Sequence, residues 1–354
     1  MRWRGLLLSI ALAPLLGACG TLNYYSQAVR GQIDLLRRAT PIDAELASTA
    51  APAELKAKLR TVLRVRAFAS RELALPDNAS YKSYADLGRR YAVWNVFATP
   101  EFSIEPVTSC FPFAGCVSYR GYFAEAGAEA DASALRARGY DVYVVGVPAY
   151  STLGWFNDPV LSTFIWYPDS ELARLIFHEL AHQLLYVKGD TLFDESFAVA
   201  VEQVGVERWL AQHGDARERA TYARWERMRQ DFAALLLKYR GLLGEYYKED
   251  LPPQEKRLGK AKRFAEMRRD YERLKASWGG FSGYDRLFAA TPNNAMLASF
   301  ALYTELVPAF RALLAREGGD LPRFYAAAKR LAQLPEDERD AELELIARSS
   351  PDRG

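Results

Sequence analysis

Histidine and cysteine are scarce in this chain of 354 residues, which contains three of each. The charges nearly cancel, with 46 lysines and arginines against 44 acidic residues and a net charge of +2. Without an excess of basic residues there is no electrostatic argument for binding nucleic acid. Half of the residues are apolar and a quarter are charged, which excludes a disordered or fibrous protein and is typical of a globular one.

The chain begins with "MRWRGLLLSIALAPLLGACG", in which a basic start is followed by an apolar run, small residues and a cysteine. This order is typical of a secretory signal, and the apolar run is too short to span a membrane. The residues Leu16-Gly17-Ala18-Cys19 resemble the lipobox of bacterial lipoproteins. The resemblance implies a signal peptide over 1–18, cleavage before Cys19 and acylation of Cys19, which would give a stable membrane anchor. An ordinary signal peptide with an incidental cysteine is the alternative.

Gly20 follows that cysteine, where the bacterial sorting rule associates aspartate with retention in the inner membrane. We therefore expect an exported protein on the periplasmic side, lipid-anchored to the outer membrane. The membrane would then be a partner of the protein through its N-terminal anchor.

The two remaining cysteines, Cys110 and Cys116, lie in "SCFPFAGCVSYRGYF". Because an exported protein meets an oxidising compartment, an even pair of cysteines at this spacing predicts a disulfide. Pro112 and Gly115 supply a turn that would bring the two together. Two buried free thiols are the alternative. A zinc site is less favoured here, because no histidine or further cysteine lies nearby.

We expect residues 19–354 to form a single domain with four parts. These are a helical N-terminal part over 19–90, a strand-rich part over 91–168, two zinc-binding helices over 169–210 and a helical part over 211–354. The strands are expected in "YAVWNVFA", "SYRGYFA" and "YDVYVVGVPAY", which are rich in tyrosine, valine and phenylalanine. Elsewhere apolar residues recur at helical spacing. The predicted fold class is α+β and predominantly helical, with a small sheet beside the active-site helix.

Two long helices are predicted in the C-terminal part, near 206–247 and 254–278. The second carries apolar residues spaced three, four, three and four apart, which is a heptad pattern: Phe264, Met267, Tyr271, Leu274 and Trp278. With a turn at Leu251-Pro252-Pro253, the two helices are expected to form a long antiparallel hairpin. The outer face of the second helix is basic, and contact with anionic lipid or an acidic partner is one interpretation. We favour a solvated face, because acidic residues are interleaved with the basic ones.

The most specific motif is "HELAH" at residues 178–182, which fits the metalloprotease pattern His-Glu-x-x-His. Positions four apart lie on one face of a helix, so His178 and His182 can point at one tetrahedral ion. Zinc in such a site lowers the pKa of its bound water to around 7 and polarises the scissile carbonyl. Glu179 would be the catalytic general base, which takes the proton of that water and gives it to the leaving amine. A chance match is the alternative, but it is weak in a chain with three histidines.

A catalytic zinc site needs a third protein ligand and an open fourth position. The next histidine, His213, is too far along the chain for the usual histidine spacing. The segment "LFDESFAVAVEQVG" supplies Glu195 at the start of a second predicted helix, with Glu202 two turns further along the same face. The sequence therefore predicts that His178, His182 and Glu195 hold one Zn²⁺. An exposed glutamate at a helix start is the alternative interpretation of Glu195.

The segment "FDESFAVAVEQVG" resembles the "NEGFASYVEYLG" type of sequence in the aminopeptidase N family, where the first glutamate binds zinc. The resemblance assigns that role to Glu195, and Glu202 falls where that family has a second glutamate. Two departures argue against membership of that family. The gap between His182 and Glu195 is shorter, and the Gly-x-Met-Glu-Asn substrate strand of that family is absent.

Over nearly the whole mature chain, the sequence resembles a bacterial family of predicted zinc aminopeptidase lipoproteins. The resemblance is carried by "YYSQAVRGQIDLL", "CFPFAGCVSYRGYF", "AYSTLGWFNDPVLS", "HELAHQ", "DESFA" and "PNNAMLASFALYTELVPAF". It implies a zincin-like fold of the glutamate-zincin type (His-Glu-x-x-His with a later glutamate) and an activity on peptides.

Other parts of a hydrolytic site are predicted from position alone. A developing oxyanion needs a hydrogen-bond donor, and Tyr303 and Tyr284 are candidates. Tyr303 could equally be a core residue. Asn293 and Asn294 follow a proline at a predicted helix start, where they could bind substrate or only cap the helix.

An aminopeptidase also needs a carboxylate for the free amine of its substrate. Glu202 and Asp194 are candidates, although each could instead orient a histidine. The segment "STLGWFN" precedes the active-site helix and is the predicted edge strand that would pair with an extended peptide.

Together these features predict an exported zinc aminopeptidase that acts on peptides and has no nucleic-acid partner. A zinc endopeptidase is a second hypothesis and would need a cleft open at both ends. A non-catalytic lipoprotein with a structural zinc site is a third. Glu179 argues against the third hypothesis, because a structural site has no use for a carboxylate beside its ligand.

Overall fold

The computed structural model describes residues 24–111, 115–289 and 291–348, so Cys19 and the expected signal peptide lie outside the described residues. The N-terminal part is mainly helical, as predicted. Its elements are α1 (24–38), β1 (Ala39–Pro41), α2 (Ile42–Ala47), α3 (Ala53–Glu72) and β2 (Ser83–Ala85). The first helix ends before Pro41, because proline lacks the N–H that a continuing helix requires.

The middle of the chain contains most of the strands. Its elements are β3 (Val93–Thr99), β4 (Ser109–Phe111), β5 (Gly115–Val117), β6 (Arg120–Tyr122), α4 (Glu125–Ala137), β7 (Asp141–Val147) and β8 (Val160–Leu161). The three predicted strand segments each contain a strand. Helix α4 was not predicted. The expected strand at 151–157 is wrong, because the chain there forms turns closed by hydrogen bonds from Thr152 to the carboxylate of Asp158.

Three small sheets are formed by these strands. One has the order β1-β2-β8, a second is antiparallel with the order β6-β3-β7, and β4 pairs with β5. Strand β7 therefore forms an edge of the second sheet. In the hairpin of β4 and β5, Cys110 lies opposite Cys116 and the two are joined by a disulfide, in agreement with the prediction.

From Asp169 onward the described chain is almost entirely helical. The helices are α5 (Asp169–Leu184), α6 (Thr191–His213), α7 (Ala216–Lys248), α8 (Pro253–Ser277), α9 (Asp285–Ala289), α10 (Asn294–Leu302), α11 (Val307–Arg316), α12 (Leu321–Leu331) and α13 (Glu336–Arg348). One predicted boundary is wrong. The helix expected to begin near 206 begins at Ala216, because Gly214 ends α6 and Asp215 forms a capping box with Glu218.

Helices α7 and α8 form the predicted antiparallel hairpin. Asp231 of α7 accepts a hydrogen bond from the indole of Trp278, and Lys238 of α7 pairs with Asp270 of α8. Later positions of α7 therefore contact earlier positions of α8, as they do in an antiparallel pair of helices. The predicted seam is largely buried, with Met267 fully enclosed. Some basic residues of α8 form ion pairs within the fold, as Lys260 does with Asp141 of β7 and Arg257 with Glu101.

The largest hydrophobic cluster packs α3, α5, α6 and the last three helices around fully buried aromatic rings such as Phe177, Phe193 and Phe197. The stretch Asn294–Arg316 is long and apolar enough to cross a membrane, but 61% of its most apolar 18 residues is buried inside the protein. We therefore assign it to the core. The consequence for the site is that α5 and α6 are held from both sides by the core.

Helices α5 and α6 approach each other very closely at Gly205. A Cβ atom at this position would lie 2.6 Å from the ring of Phe177 and 2.9 Å from Leu73. Both neighbours are fully buried and have little room to move. Glycine at 205 therefore sets the distance between the two helices that carry the "HELAH" motif and Glu195.

We predict that Gly205→Ala lowers the free energy of unfolding by about 1–3 kcal/mol, because the added methyl overpacks the helix contact. The matched control is Gly241→Ala in α7, where a Cβ would meet nothing within 4 Å. That change should raise stability by up to about 1 kcal/mol through helix propensity. Urea denaturation measures both. A Gly205→Ala protein that is stabilised as much as Gly241→Ala would contradict the close-packing argument.

Candidate metal centre

Two adjacent helices bring the predicted ligands together. His178 and His182 lie one turn apart on α5, and Glu195 lies just after the first turn of α6. The start of α6 is defined by Asp190, whose side chain accepts a hydrogen bond from the backbone of Phe193. All three predicted ligands are buried, with exposed fractions of 9%, 9% and 7%.

The three side chains converge on one point. The Nε2 atoms of His178 and His182 are 3.1 Å apart, and Oε2 of Glu195 lies 3.2 Å and 3.5 Å from them. Around a tetrahedral zinc ion with bonds of about 2.1 Å, two ligand atoms should be about 3.4 Å apart. The observed separations therefore fit a small tetrahedral cation. Within the described part of the chain, these three side chains form a group that could hold a metal ion.

A fourth residue determines which lone pair His178 offers. Glu202 lies 2.9 Å from Nδ1 of His178, and a carboxylate can only accept a hydrogen bond. Nδ1 therefore carries the proton, and Nε2 of a neutral His178 is left with a lone pair directed at Glu195. Lone pairs facing each other at these distances would repel, so a proton or a metal ion must lie among them.

The pKa values of His178 and Glu195 also indicate a positive charge between the three side chains. Burial disfavours a charged His178, but hydrogen bonds to Glu195 and Glu202 outweigh it and raise the pKa of His178 to about 10. Burial also disfavours the Glu195 carboxylate, yet the charges and hydrogen bonds of His182 and His178 lower its pKa to about 2. The cluster therefore retains a positive charge at its centre, either a proton or a metal ion.

Glu202 is itself held by a chain of ion pairs. Arg174 donates to both of its oxygens at 3.1 Å and 3.3 Å, and Glu171 accepts from Arg174 at 2.8 Å. Arg229 of α7 extends the chain by donating to Glu171 at 3.1 Å. Of the two roles considered for Glu202, the geometry favours orienting a histidine over binding substrate.

Glu179 lies beside the cluster but does not join it. Its side chain is 7% exposed and lines the cleft next to both histidines. Burial raises the pKa of Glu179 to about 7, against the opposing effect of His178 and His182. A carboxyl group with a pKa near neutrality can both accept and release a proton.

Two cavities meet at the cluster. One of about 390 Å³ extends toward α1 and the β4–β5 hairpin, and the other of about 700 Å³ extends between α6 and α7. Both are lined by Val147, Ala149, His178, Glu179 and Tyr303. The end of the edge strand β7 and the residues just after it therefore border the cleft. This is the position that the sequence had assigned to "STLGWFN".

Tyr303 lies at the end of α10, and its ring stacks on the ring of His178 with 6.3 Å between the centroids. Burial, followed by the charge of Glu195, raises the pKa of Tyr303 well above its usual value, so its hydroxyl keeps a proton to donate. Tyr119 also lines the smaller cavity, and its pKa is raised for the same two reasons. The sequence did not point to Tyr119, because no local pattern links it to "HELAH".

Three other candidates are used for structural contacts. Asn293 caps α10 and donates to the carbonyl of Val142, while Asn294 is fully buried and bonded to Tyr247. Neither lines the two cavities at the cluster, so these cavities give no support to substrate contact by them. Tyr284 stacks on Phe232 at the far wall of the larger cavity.

Asp194 lines the smaller cavity, but its carboxylate is used to hold the loop that precedes α6. Oδ1 accepts a hydrogen bond of 2.7 Å from the backbone of Val187, and Oδ2 is buried out of contact with solvent. Burial raises the pKa of Asp194 to about 9, so it is a poor source of negative charge at neutral pH.

Comparison with known proteins gives one match. A family model described as "Putative aminopeptidase" matches residues 23–343. No curated protein and no solved structure matches the chain.

We predict that Glu202→Gln weakens metal affinity by roughly 10–100-fold, because the amide loses its charge and its pairing with Arg174 while His178 loses its fixed orientation. The matched control is Glu207→Gln on the same helix, where the side chain is 47% exposed. Competition with a chromogenic chelator measures both affinities. An unchanged affinity in Glu202→Gln, or equal losses in both variants, would contradict the orienting role.

Proposed function

The chain belongs to the family described as "Putative aminopeptidase", and on that basis we propose that it is a single-zinc peptidase of zincin-like fold. In the proposal, His178, His182 and Glu195 hold the ion and Glu179 is the general base. The observation that carries it is the convergence of three lone-pair atoms within 3.5 Å of each other in a buried cleft. The family name indicates that the bonds at the N-terminus of peptides are the first candidates for hydrolysis.

Zinc is the metal that this ligand set suits best. Two imidazoles and one carboxylate are the ligands of catalytic zinc in several peptidases, with the fourth position left open. When bound, the ion would polarise the scissile carbonyl and make a water molecule acidic near neutral pH. A structural site usually has four protein ligands, whereas the described cluster has three.

The residues of the chain then have distinct tasks. Glu179 takes a proton from the attacking water while the water oxygen forms a bond to the carbonyl carbon. It returns the proton to the amide nitrogen as the carbon–nitrogen bond breaks, which releases a carboxylate and an amine. Glu202 holds His178 in the tautomer that can bind the metal.

Tyr303 is the proposed donor to the oxyanion that develops on the carbonyl oxygen. It borders both cavities beside His178, and its raised pKa keeps the hydroxyl protonated. A donor fixed in this position before the reaction stabilises the transition state more than the substrate.

The lipid anchor remains part of the proposal. Four residues separate Cys19 from Tyr24, which lines the smaller cavity. Fully extended, this linker reaches about 17 Å. An acylated Cys19 would therefore hold the cleft close to the membrane surface.

We predict that Glu179→Gln lowers peptide hydrolysis by at least about 100-fold, because the proton carrier is lost. One zinc ion per chain should remain bound, since Glu179 is not among the ligands. Reporter cleavage and metal analysis by mass spectrometry measure the two quantities. Unchanged cleavage in this variant would refute the mechanism, and zinc binding without any cleavage by the unmodified protein would favour a structural site.

Tyr303→Phe should lower kcat by roughly 100-fold with little change in KM, because the lost hydroxyl acts in the transition state. Tyr119→Phe is the matched comparison in the same cavity and should have the smaller effect. Steady-state kinetics on one reporter distinguishes them. The reverse order of effects would assign the oxyanion donor to Tyr119.

A further inference from the structure

We propose that the cleft does not require a free N-terminus and that the protein also hydrolyses internal peptide bonds. This endopeptidase activity rests on the proposed zinc peptidase function and uses the same catalytic residues. It goes beyond the activity in the family name. Three features of the cleft lead to it: the state of its carboxylates, the two cavities and the edge strand.

The first feature is that no carboxylate in the described cleft is free to bind an ammonium group. A peptide N-terminus is positively charged, and burying that charge without a partner is costly. Six carboxylates line the two cavities: Glu179, Asp194, Glu195, Glu202, Glu207 and Glu226. Glu179 and Glu195 have the roles of base and ligand.

The other four carboxylates already have partners. Glu202 is shared between His178 and Arg174. Asp194 accepts a bond from the loop backbone through one oxygen, and its other oxygen does not reach solvent. Two remain, and each is ion-paired: Glu226 with Arg229 at 3.0 Å, and Glu207 with Arg311 at 3.2 Å.

The residues outside the described ranges contain few carboxylates that could bind an ammonium group. Residues 1–23, 112–114 and 290 contain no aspartate or glutamate, and Asp352 is the one acidic residue in 349–354. The cleft is therefore poor in the feature that lets an aminopeptidase recognise a chain end.

The second feature is that space continues on both sides of the ligands. The larger cavity passes from His178 to exposed residues of α6 and α7, including Glu207, Gln230 and Ala234. The smaller cavity continues to half-buried residues such as Tyr25 and Leu153. At about 390 Å³ and 700 Å³, each has the volume of an ordinary ligand site. A substrate can thus place residues on either side of the bond that is cut.

The third feature is the main-chain segment at the end of the edge strand β7, which borders the junction. Val147, at the end of β7, and Ala149, just beyond it, line both cavities. An extended peptide binds a sheet edge through its main chain, and these hydrogen bonds are the same for internal and terminal residues. Main-chain binding beside this segment would therefore not discriminate between a blocked and a free N-terminus.

The step is an ordinary hydrolysis that consumes one water molecule. The water oxygen bonds to an internal carbonyl carbon, and the carbon–nitrogen bond breaks. Glu179 carries the proton to the departing nitrogen. One new carboxylate and one new amine are formed, and no oxidant or reductant is needed.

The test compares two peptides of about ten residues that differ only in acetylation of the N-terminus. The zinc-loaded full chain is incubated with each, and the products are mapped by mass spectrometry. We expect cleavage of internal bonds in both, with kcat/KM values within about tenfold of each other. Binding of both peptides to Glu179→Gln, measured by calorimetry, should also agree within about tenfold.

A matched pair of variants on α7 tests the use of the larger cavity. Ala234→Trp narrows its mouth and should lower cleavage of the acetylated peptide by about tenfold or more. Ala223→Trp, exposed on the same helix and outside the cavity lining, should have no effect. Equal rates in the two variants would contradict passage of substrate through the larger cavity.

Loss of more than about tenfold in cleavage or in binding on acetylation would overturn the inference, because the charged N-terminus would then be recognised. The proposed zinc peptidase function would survive that result. Cleavage of neither peptide, with zinc bound, would instead reject the proposed function itself.

Discussion

Three lone pairs directed at one point are the constraint on which the rest of this structure depends. His178, His182 and Glu195 place their atoms within 3.5 Å of each other, and Glu202 keeps the proton of His178 on the opposite nitrogen. Such a cluster needs a proton or a metal ion among its three atoms. Its three predicted ligands occupy the buried interface of α5 and α6, where water could not screen the repulsion.

Much of the surrounding fold can be understood from what this cluster needs. Gly205 lets α5 and α6 approach closely enough for both to contribute ligands. Aromatic rings of the core hold the two helices on the sides away from the cleft. The ion pairs from Glu202 through Arg174 and Glu171 to Arg229 connect the candidate metal centre to the α7–α8 hairpin. The hairpin, the edge strand β7 and Tyr303 then enclose the space in which a peptide could lie.

The sequence could predict the part of the site that is local. "HELAH" lies within two turns of one helix, so helical periodicity brings His178 and His182 together. Glu195 follows after one short loop, and the family resemblance pointed to it. Contacts between distant segments were not predictable in this way. Tyr119 and the end of β7 border the cleft because of sheet packing. Asn293, by contrast, is used as the cap of α10. The predicted start of the long helix failed because a capping box at Asp215 outweighs continuous helical spacing.

The most direct test of the account is anomalous X-ray diffraction at the zinc absorption edge from crystals of the mature protein. We predict one strong anomalous peak, about 2.1 Å from Nε2 of His178, Nε2 of His182 and Oε2 of Glu195. We also predict that Glu179 does not coordinate the ion. A fully occupied zinc ion at another place, or three ligands that remain close together with no anomalous peak after zinc soaking, would contradict the central claim.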